Sequence, residues 1–291
     1  MVRIRETAAA GTFYEADPAA LRRRLEDCKA AAGRLLPAIR PRPSAAVILP
    51  HAGYGYSGTT ALATLLTVEE APWRRYLVMA PSHRIGFRGV ALADYDAFAT
   101  PLGVLPLDRV AMAQLASAPG GMIGYADRAH AGEHALEVEL PLLQYCFGAR
   151  PLLPAVVGML SAAEARRLAP AWRAFWNDET LWVISSDFTH YGRAFDYLPF
   201  VEAVPERLKA LDLGAVDLIV RRDLDGFERY LAETGATICG ANAIKLLLAV
   251  LESAGGDYVV ELVHYTTSGE KTGDFSHVVS YAGVAVRRKD A

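Results

Sequence analysis

The sequence predicts an α/β protein, a single-domain α/β/α sandwich built on a mixed, mostly parallel sheet. Three observations carry that expectation. Leu181-Trp-Val-Ile184 is an unbroken apolar run that passes directly into Ser185-Ser-Asp-Phe-Thr-His-Tyr-Gly192. Ala45-Ala-Val-Ile-Leu-Pro50 delivers His51 in the same way, and Tyr76-Leu-Val-Met-Ala80 delivers Ser82 and His83. Short continuous apolar runs read as buried strands, and open α/β sheets place their chemistry at the carboxyl edge.

The remaining elements follow from local signals. Asp17-Pro18 opens a helix through Leu21, Leu25 and Cys28, with Asp17 as N-cap and Pro18 in the first turn. Residues 36–44, with three prolines, read as a linker into the first strand. A helix is expected over Gly58–Thr67, a short strand over Val90–Ala93, and a loop over Tyr95–Leu105. Asp108 caps a helix to about Ser117, and a glycine-rich loop follows at 119–124. Glu133-His134 opens a helix whose Leu136, Leu140, Leu143 and Cys146 share one apolar face. Leu152–Met159 is a strand and Ser161–Trp176 a helix. Beyond the central strand, helices are expected over Pro205–Val220, Leu224–Glu233 and Ala243–Ser253. Tyr258–Tyr265 and His277–Val286 close the chain as an antiparallel pair joined by a polar loop. No repeat or composition break divides the sequence, so residues 1–291 are read as one domain.

Composition narrows the function classes. Of 291 residues 52% are hydrophobic, enough for a large core, and 30 basic against 33 acidic residues leave a net charge of −3. That balance, without a basic tail, argues against a nucleic-acid or anionic-membrane partner. Three cysteines without a CxxC pair suit a reducing cytosol, and no leader-like or membrane-spanning apolar run is present, so a cytoplasmic protein is expected.

Several motifs compete for the chemistry. Gly53-Tyr-Gly-Tyr-Ser-Gly58 matches a dinucleotide fingerprint between strand and helix, but the next strand ends in Pro81-Ser-His83 where a ribose-binding acid belongs. Its glycines are then expected to serve a tight turn past His51. Ser82, Asp187 and His190 offer the residue types of a hydrolase triad, although no GxSxG elbow is present. His51, His83, Asp187, His190 and Cys239 fit a metal site better, because imidazole and thiolate are good ligands for Fe(II), Cu or Zn. Cys239 stands just before a helix start, which favours the thiolate, whereas Cys28 and Cys146 lie on apolar helical faces. His134 is either a surface residue beside a Glu133 cap or support for the ligands. His130, His264 and His277 read as structural or rim residues.

Six ordered stretches together resemble the Memo family, whose bacterial and archaeal members are called AmmeMemoRadiSam system protein B. They are Gly11-Thr-Phe-Tyr14, Pro50-His-Ala-Gly-Tyr54 with Ser57-Gly58, Pro81-Ser-His83, Glu133-His134 with Glu137 and Leu140-Pro141, Ser185–Gly192, and Thr237-Ile-Cys-Gly240. The family is similar in fold to the class III extradiol dioxygenases. The resemblance implies that His51, His83 and Cys239 hold a metal, with iron or copper the associated ions, and that Asp187 and His190 line the same pocket. Glu133, His134, Ser82 and Tyr54 are expected around those ligands. In the dioxygenase relatives a histidine comparable to His190 is the acid/base. Those enzymes use two histidines and a carboxylate, so Cys239 departs from them.

The expected function is therefore an Fe(II)-dependent redox protein, with copper or zinc as alternatives, oxidising a small aromatic molecule with His190 and Asp187 as catalytic groups. The alternatives are a non-catalytic module that binds metal or a phosphopeptide, and a zinc hydrolase. The family's neighbourhood name further implies a link to a radical-SAM protein and an AMMECR-type protein.

Overall fold

The computed structural model describes residues 2–36, 38 and 40–289. The chain runs β1 (Ile4–Arg5), α1 (Pro18–Leu35), β2 (Ala46–Leu49), α2 (Tyr54–Leu65), β3 (Arg75–Pro81), β4 (Val90–Leu92), β5 (Ala97–Thr100) and β6 (Gly103–Pro106). It continues through α3 (Arg109–Ala116), β7 (Ile123–Tyr125), α4 (Asp127–Ala131), α5 (His134–Phe147), β8 (Leu152–Val157), α6 (Ala162–Arg173), β9 (Thr180–Ser185) and β10 (His190–Gly192). The last elements are α7 (Val204–Val220), α8 (Leu224–Thr234), α9 (Ala241–Ala254), β11 (Tyr258–Thr267), α10 (Ser268–Thr272) and β12 (His277–Arg288).

The main sheet has the order β10-β12-β2-β9-β3-β8-β4-β7, with β11 also paired to β12. Its centre, β2-β9-β3-β8, is parallel throughout, and these strands are buried along almost their whole length. The flanks are antiparallel where β12 meets β2 and β4 meets β8. Helices α1, α2 and α5 pack together against the strands, whereas α6, α8 and α9 form a second group whose α9 lies on β3 and β9. The result is an α/β/α sandwich. Continuous apolar strands are what this arrangement demands, because neither sheet face meets water. Among the described residues no helix is long and apolar enough to cross a membrane.

Helix starts follow their caps. Asp17 accepts from Ala20 N at 2.8 Å and Asp108 from Ala111 N at 2.9 Å, as their positions before the apolar runs predict. Ser161 and Glu164 form a reciprocal capping box at the start of α6.

Four expectations need correction. The stretch 95–105 is not a loop: β5 and β6 form a hairpin that joins β1 in a small sheet, returning at Gly103 with a φ of +123°. The helix expected from Gly58 starts at Tyr54, so only Gly53 lies in the turn after His51. Gly58 instead serves packing, since a Cβ there would stand 2.9 Å from Cys28 Sγ on α1. Helix α5 is buried from Ala135 to Leu143 rather than along one face, because it lies between α1, α2 and the sheet. The polar connection after β11 contains the short helix α10.

That burial gives Glu137 a structural role. Its carboxylate is fully buried and accepts from Ala8 N at 2.8 Å, Ala9 N at 2.9 Å and the Tyr14 hydroxyl, and it pairs with the equally buried Arg5. Arg5 also donates to the Glu133 carbonyl at 2.7 Å, so the N-terminal segment is tied across α5 beside the strand ends. Removing one partner strands the other charge in a dry interior. Glu137→Ala is expected to lower stability in urea unfolding by about 3–5 kcal/mol. A loss below about 1 kcal/mol, the size of an exposed pair, contradicts this role.

Candidate metal centre

Three carboxyl-edge segments converge. His51 follows β2, His83 follows β3, and Cys239 precedes α9, and one ligand atom from each lies within 4.8 Å of the others. His51 Nε2 is 3.2 Å from Cys239 Sγ, and the His51 and His83 rings meet edge to face at 5.3 Å. His51 is 1% exposed, while 30% of the His83 side chain meets solvent, so the trio is open on one side.

The approach of Cys239 to His51 depends on Gly240. A Cβ at residue 240 would fall 2.4 Å from Ser186 Cβ and 2.6 Å from the Ser185 carbonyl oxygen. Only glycine lets the start of α9 sit against the end of β9 this closely. Gly240 N then donates to Ser186 Oγ at 3.0 Å, and Asp187 N donates to Cys239 Sγ at 3.1 Å.

Asp187 organises the floor. One carboxylate oxygen accepts from His51 N at 2.9 Å and Ala52 N at 3.3 Å, and the other lies 4.0 Å from His51 Nε2. Burial pushes its carboxyl up to about 7, against the pull of those two backbone donors. Burial holds His51 well below the usual imidazole range, reinforced by His83, His134 and His190, so it is neutral near pH 7. Enclosure of the sulfur, then the Asp187 charge, pushes the Cys239 thiol well above its ordinary value. The helix-start effect that favoured a thiolate is therefore outweighed by desolvation until a cation is present.

Behind the ligands stand two acids of different character. Glu133 caps α5 through Ala135 N at 3.0 Å, and it also accepts from His83 N at 2.6 Å and from His83 Nδ1 at 2.9 Å. Against the opposing effect of burial, the hydrogen bond from His83 holds this carboxyl below the usual range. His134 stacks between His83 at 4.6 Å and Phe13 at 4.3 Å, with Nδ1 at 3.3 Å from Glu133. His83, Glu133 and His134 are close enough to form a second ion-binding trio. Both Glu133 oxygens are already occupied by N–H donors, so the arrangement orients His83 rather than offering another site. The other acid, Glu139, was not singled out in the sequence. It is fully buried and accepts from Ser185 Oγ at 2.6 Å, and that hydroxyl contacts His51 Nδ1 at 2.8 Å. Its position within an apolar helix gives no local signal beyond the oddity of an acid there.

His190 is held differently. Its Nδ1 faces the carbonyls of Phe188 at 3.0 Å and Thr237 at 3.2 Å, and burial lowers its basicity although those bonds oppose the shift. The neutral ring thus carries its proton on Nδ1, with the Nε2 lone pair free to act as a base. In the sheet His190 stands opposite Val279, on the face shared by His277 and Tyr281. His277, Val279 and Tyr281 of that face line a cavity of about 390 Å³ together with Tyr56, Ser268, Thr272 and Asp274. Phe195 links two of these rings, edge-on to His190 at 5.0 Å and stacked on His277 at 4.3 Å.

Two expected neighbours spend their hydroxyls on backbone carbonyls. Ser82 Oγ donates to the Ile85 carbonyl at 2.7 Å, closing a turn, and Tyr54 donates to the Val138 carbonyl at 2.6 Å from a buried position. The hydrolase triad is not assembled, because His190 Nδ1 faces carbonyls and Asp187 accepts from backbone. His130 is structural, bonded to the Ala91 carbonyl at 2.9 Å, and His264 contacts Thr60 Oγ1 at 3.0 Å.

Comparison with known proteins matches residues 5–285 to the family model for Memo-like proteins. A MEMO1 family protein of Methanothermobacter thermautotrophicus is 33% identical over 288 residues, covering 96% of this chain and 99% of that protein. A MEMO1 family protein of Methanosarcina acetivorans is 31% identical, covering 98% and 100%. The memo-1 homolog of Caenorhabditis elegans is 29% identical, covering 96% of this chain and 81% of its own. Among solved structures, an uncharacterized protein of Escherichia coli K12 shares the fold, with a TM-score of 0.53 at 13% identity, over 82% of this chain and 98% of that one.

Proposed function

The chain belongs to the Memo-like protein family, and from that premise we propose that it is a metal-dependent redox protein that oxidises a small aromatic molecule. His51, His83 and Cys239 would hold the ion, Fe(II) in the first place, with copper or zinc as alternatives. The observation that carries this reading is the donor set: two imidazoles and a thiol converge from three separate elements, within 4.8 Å, on a side open to solvent. Such a soft, borderline set fits iron, copper or zinc and excludes the oxygen-seeking magnesium and calcium. When bound, the ion would supply electron transfer and polarisation of a substrate oxygen.

The chain's own groups do the rest. His190, neutral and with Nε2 free, takes a proton from a substrate hydroxyl. Asp187, whose carboxyl lies near neutrality, holds the His51 backbone and keeps a second proton-exchanging group 4.0 Å from the His51 ring. Tyr56, Tyr281 and His277 give the neighbouring cavity flat aromatic walls of a size for one ring, beside the polar Ser268, Thr272 and Asp274. The oxidisable thiol of Cys239 favours a second reading, in which the protein holds or delivers the ion without turnover.

Anaerobic iron loading followed by oxygen consumption with a panel of catechols tests the proposal. Turnover is expected in the wild type and is expected to fall at least about 100-fold in His190→Ala, with iron retained. Iron retention without turnover in either protein supports the holding reading instead. The thiol state gives a separate prediction. Cys239 must lose a proton that the ion-free site holds tightly, while His51 has none to lose near pH 7. Apparent Fe(II) affinity should therefore rise by at least about one log unit per pH unit between pH 6 and 8, with Asp187 steepening the slope below about pH 7. Affinity independent of pH in anaerobic titrations contradicts thiolate ligation.

A further inference from the structure

We propose that Glu139 is a positioning residue for the metal centre: acting through Ser185, it fixes the His51 ring with the proton on Nδ1 and Nε2 turned toward Cys239. The proposal rests on the metal-site reading above and goes beyond it to an acid that touches none of the ligands named there.

Glu139 is an anomaly on its own helix. Val138, Leu140, Leu142 and Leu143 around it are buried and apolar, and Glu139 itself has no solvent exposure. Its only side-chain hydrogen bond among the described residues is the 2.6 Å bond from Ser185 Oγ, and its second oxygen is buried without a partner. The charged groups acting on it include Asp187, another acid, and no cation, so burial keeps the carboxyl protonated well above its usual range. A fold that needed only packing here would be better served by leucine, since a buried acid with half its bonding unmet is costly.

The hydrogen-bond geometry supplies the reason for an acid. Ser185 Oγ has three neighbours: the Ala135 carbonyl at 2.8 Å, Glu139 at 2.6 Å and His51 Nδ1 at 2.8 Å. A hydroxyl has one proton to give. If Glu139 is protonated, it donates to Ser185, whose own proton then goes to the Ala135 carbonyl or to His51 Nδ1. If Glu139 is ionised, Ser185 donates to it, and the His51 contact is then a donation from Nδ1. A cation held at Nε2 selects that same tautomer, since it needs the Nε2 lone pair. In that tautomer the lone pair lies at Nε2, the atom 3.2 Å from Cys239 Sγ. The carboxyl is a remote partner of a ligating imidazole, relayed by one hydroxyl, of the kind that raises ligand basicity and locks ring orientation.

The test separates positioning from packing by comparing two properties in the same variants. Glu139→Leu removes the partner and the buried acid together, and Glu139→Gln keeps a polar group that can serve Ser185. In Glu139→Leu, affinity for Fe(II) is expected to fall about 10- to 100-fold. The thermal midpoint of its metal-free form is expected to stay level or rise. Glu139→Gln should recover most of the affinity, and the cobalt(II) thiolate charge-transfer band should shift in the leucine variant and return in the glutamine variant. Unchanged affinity and spectrum in Glu139→Leu, beside a wild type that binds, overturn the positioning role alone. So does a loss of metal-free stability that Gln does not recover. A wild type that binds neither Fe(II) nor cobalt(II) overturns the metal reading and this inference together.

Discussion

The site depends on one steric condition, the absence of a side chain at residue 240. The end of β9 and the start of α9 touch there, with Ser186 Cβ only 2.4 Å from where a Cβ would stand. That contact carries Cys239 from one layer of the sandwich to His51 on the neighbouring strand. The third member of the trio, His83, arrives by a different route, through the parallel pairing of β3 with β9 and the capping acid Glu133. Two independent constraints, close backbone approach and carboxyl-edge register, therefore meet at one point.

The electrostatics of that point disfavour charge of either sign while no ion is bound. Burial keeps His51 neutral, keeps the Cys239 thiol protonated and lifts Asp187 to about 7. Each of these shifts disfavours charge in a desolvated pocket, and a bound cation would reverse the cost for the thiol and the carboxyl. Glu139 extends the same logic one residue deeper. Two acids, Glu133 and Glu139, address two different imidazoles at Nδ1, one directly and one through Ser185. The consequence is common to both: Nδ1 is engaged, and Nε2 is the atom left for the open site.

Much of this was legible in the sequence, for physical reasons that also explain what was not. The central strands announce themselves because a strand buried on both faces must be apolar at every position, and the histidines then fall at readable strand ends. Caps such as Asp17, Asp108 and Glu133 are equally local signals. The β5–β6 hairpin was hidden because its strands are short, β6 is largely exposed, and its partner β1 lies far away at the N-terminus. Glycine patterns misled at Gly58, where small size serves helix packing, and at Gly55, which lies exposed in the first turn of α2. Glu137 and Glu139 look alike in sequence, two residues apart, yet one pairs with Arg5 and the other has only Ser185. No periodicity distinguishes them, because their partners, Arg5 and Ser185, lie far off in sequence on either side.

X-ray absorption at the metal edge of the anaerobically loaded protein, wild type beside Cys239→Ser, tests the central claim most directly. The account predicts about one ion per chain, with a single sulfur at about 2.3 Å beside nitrogen scatterers. It also predicts that the sulfur shell disappears in the variant. A loaded wild type with no sulfur in its first shell, or a variant spectrum identical to the wild type, would contradict it.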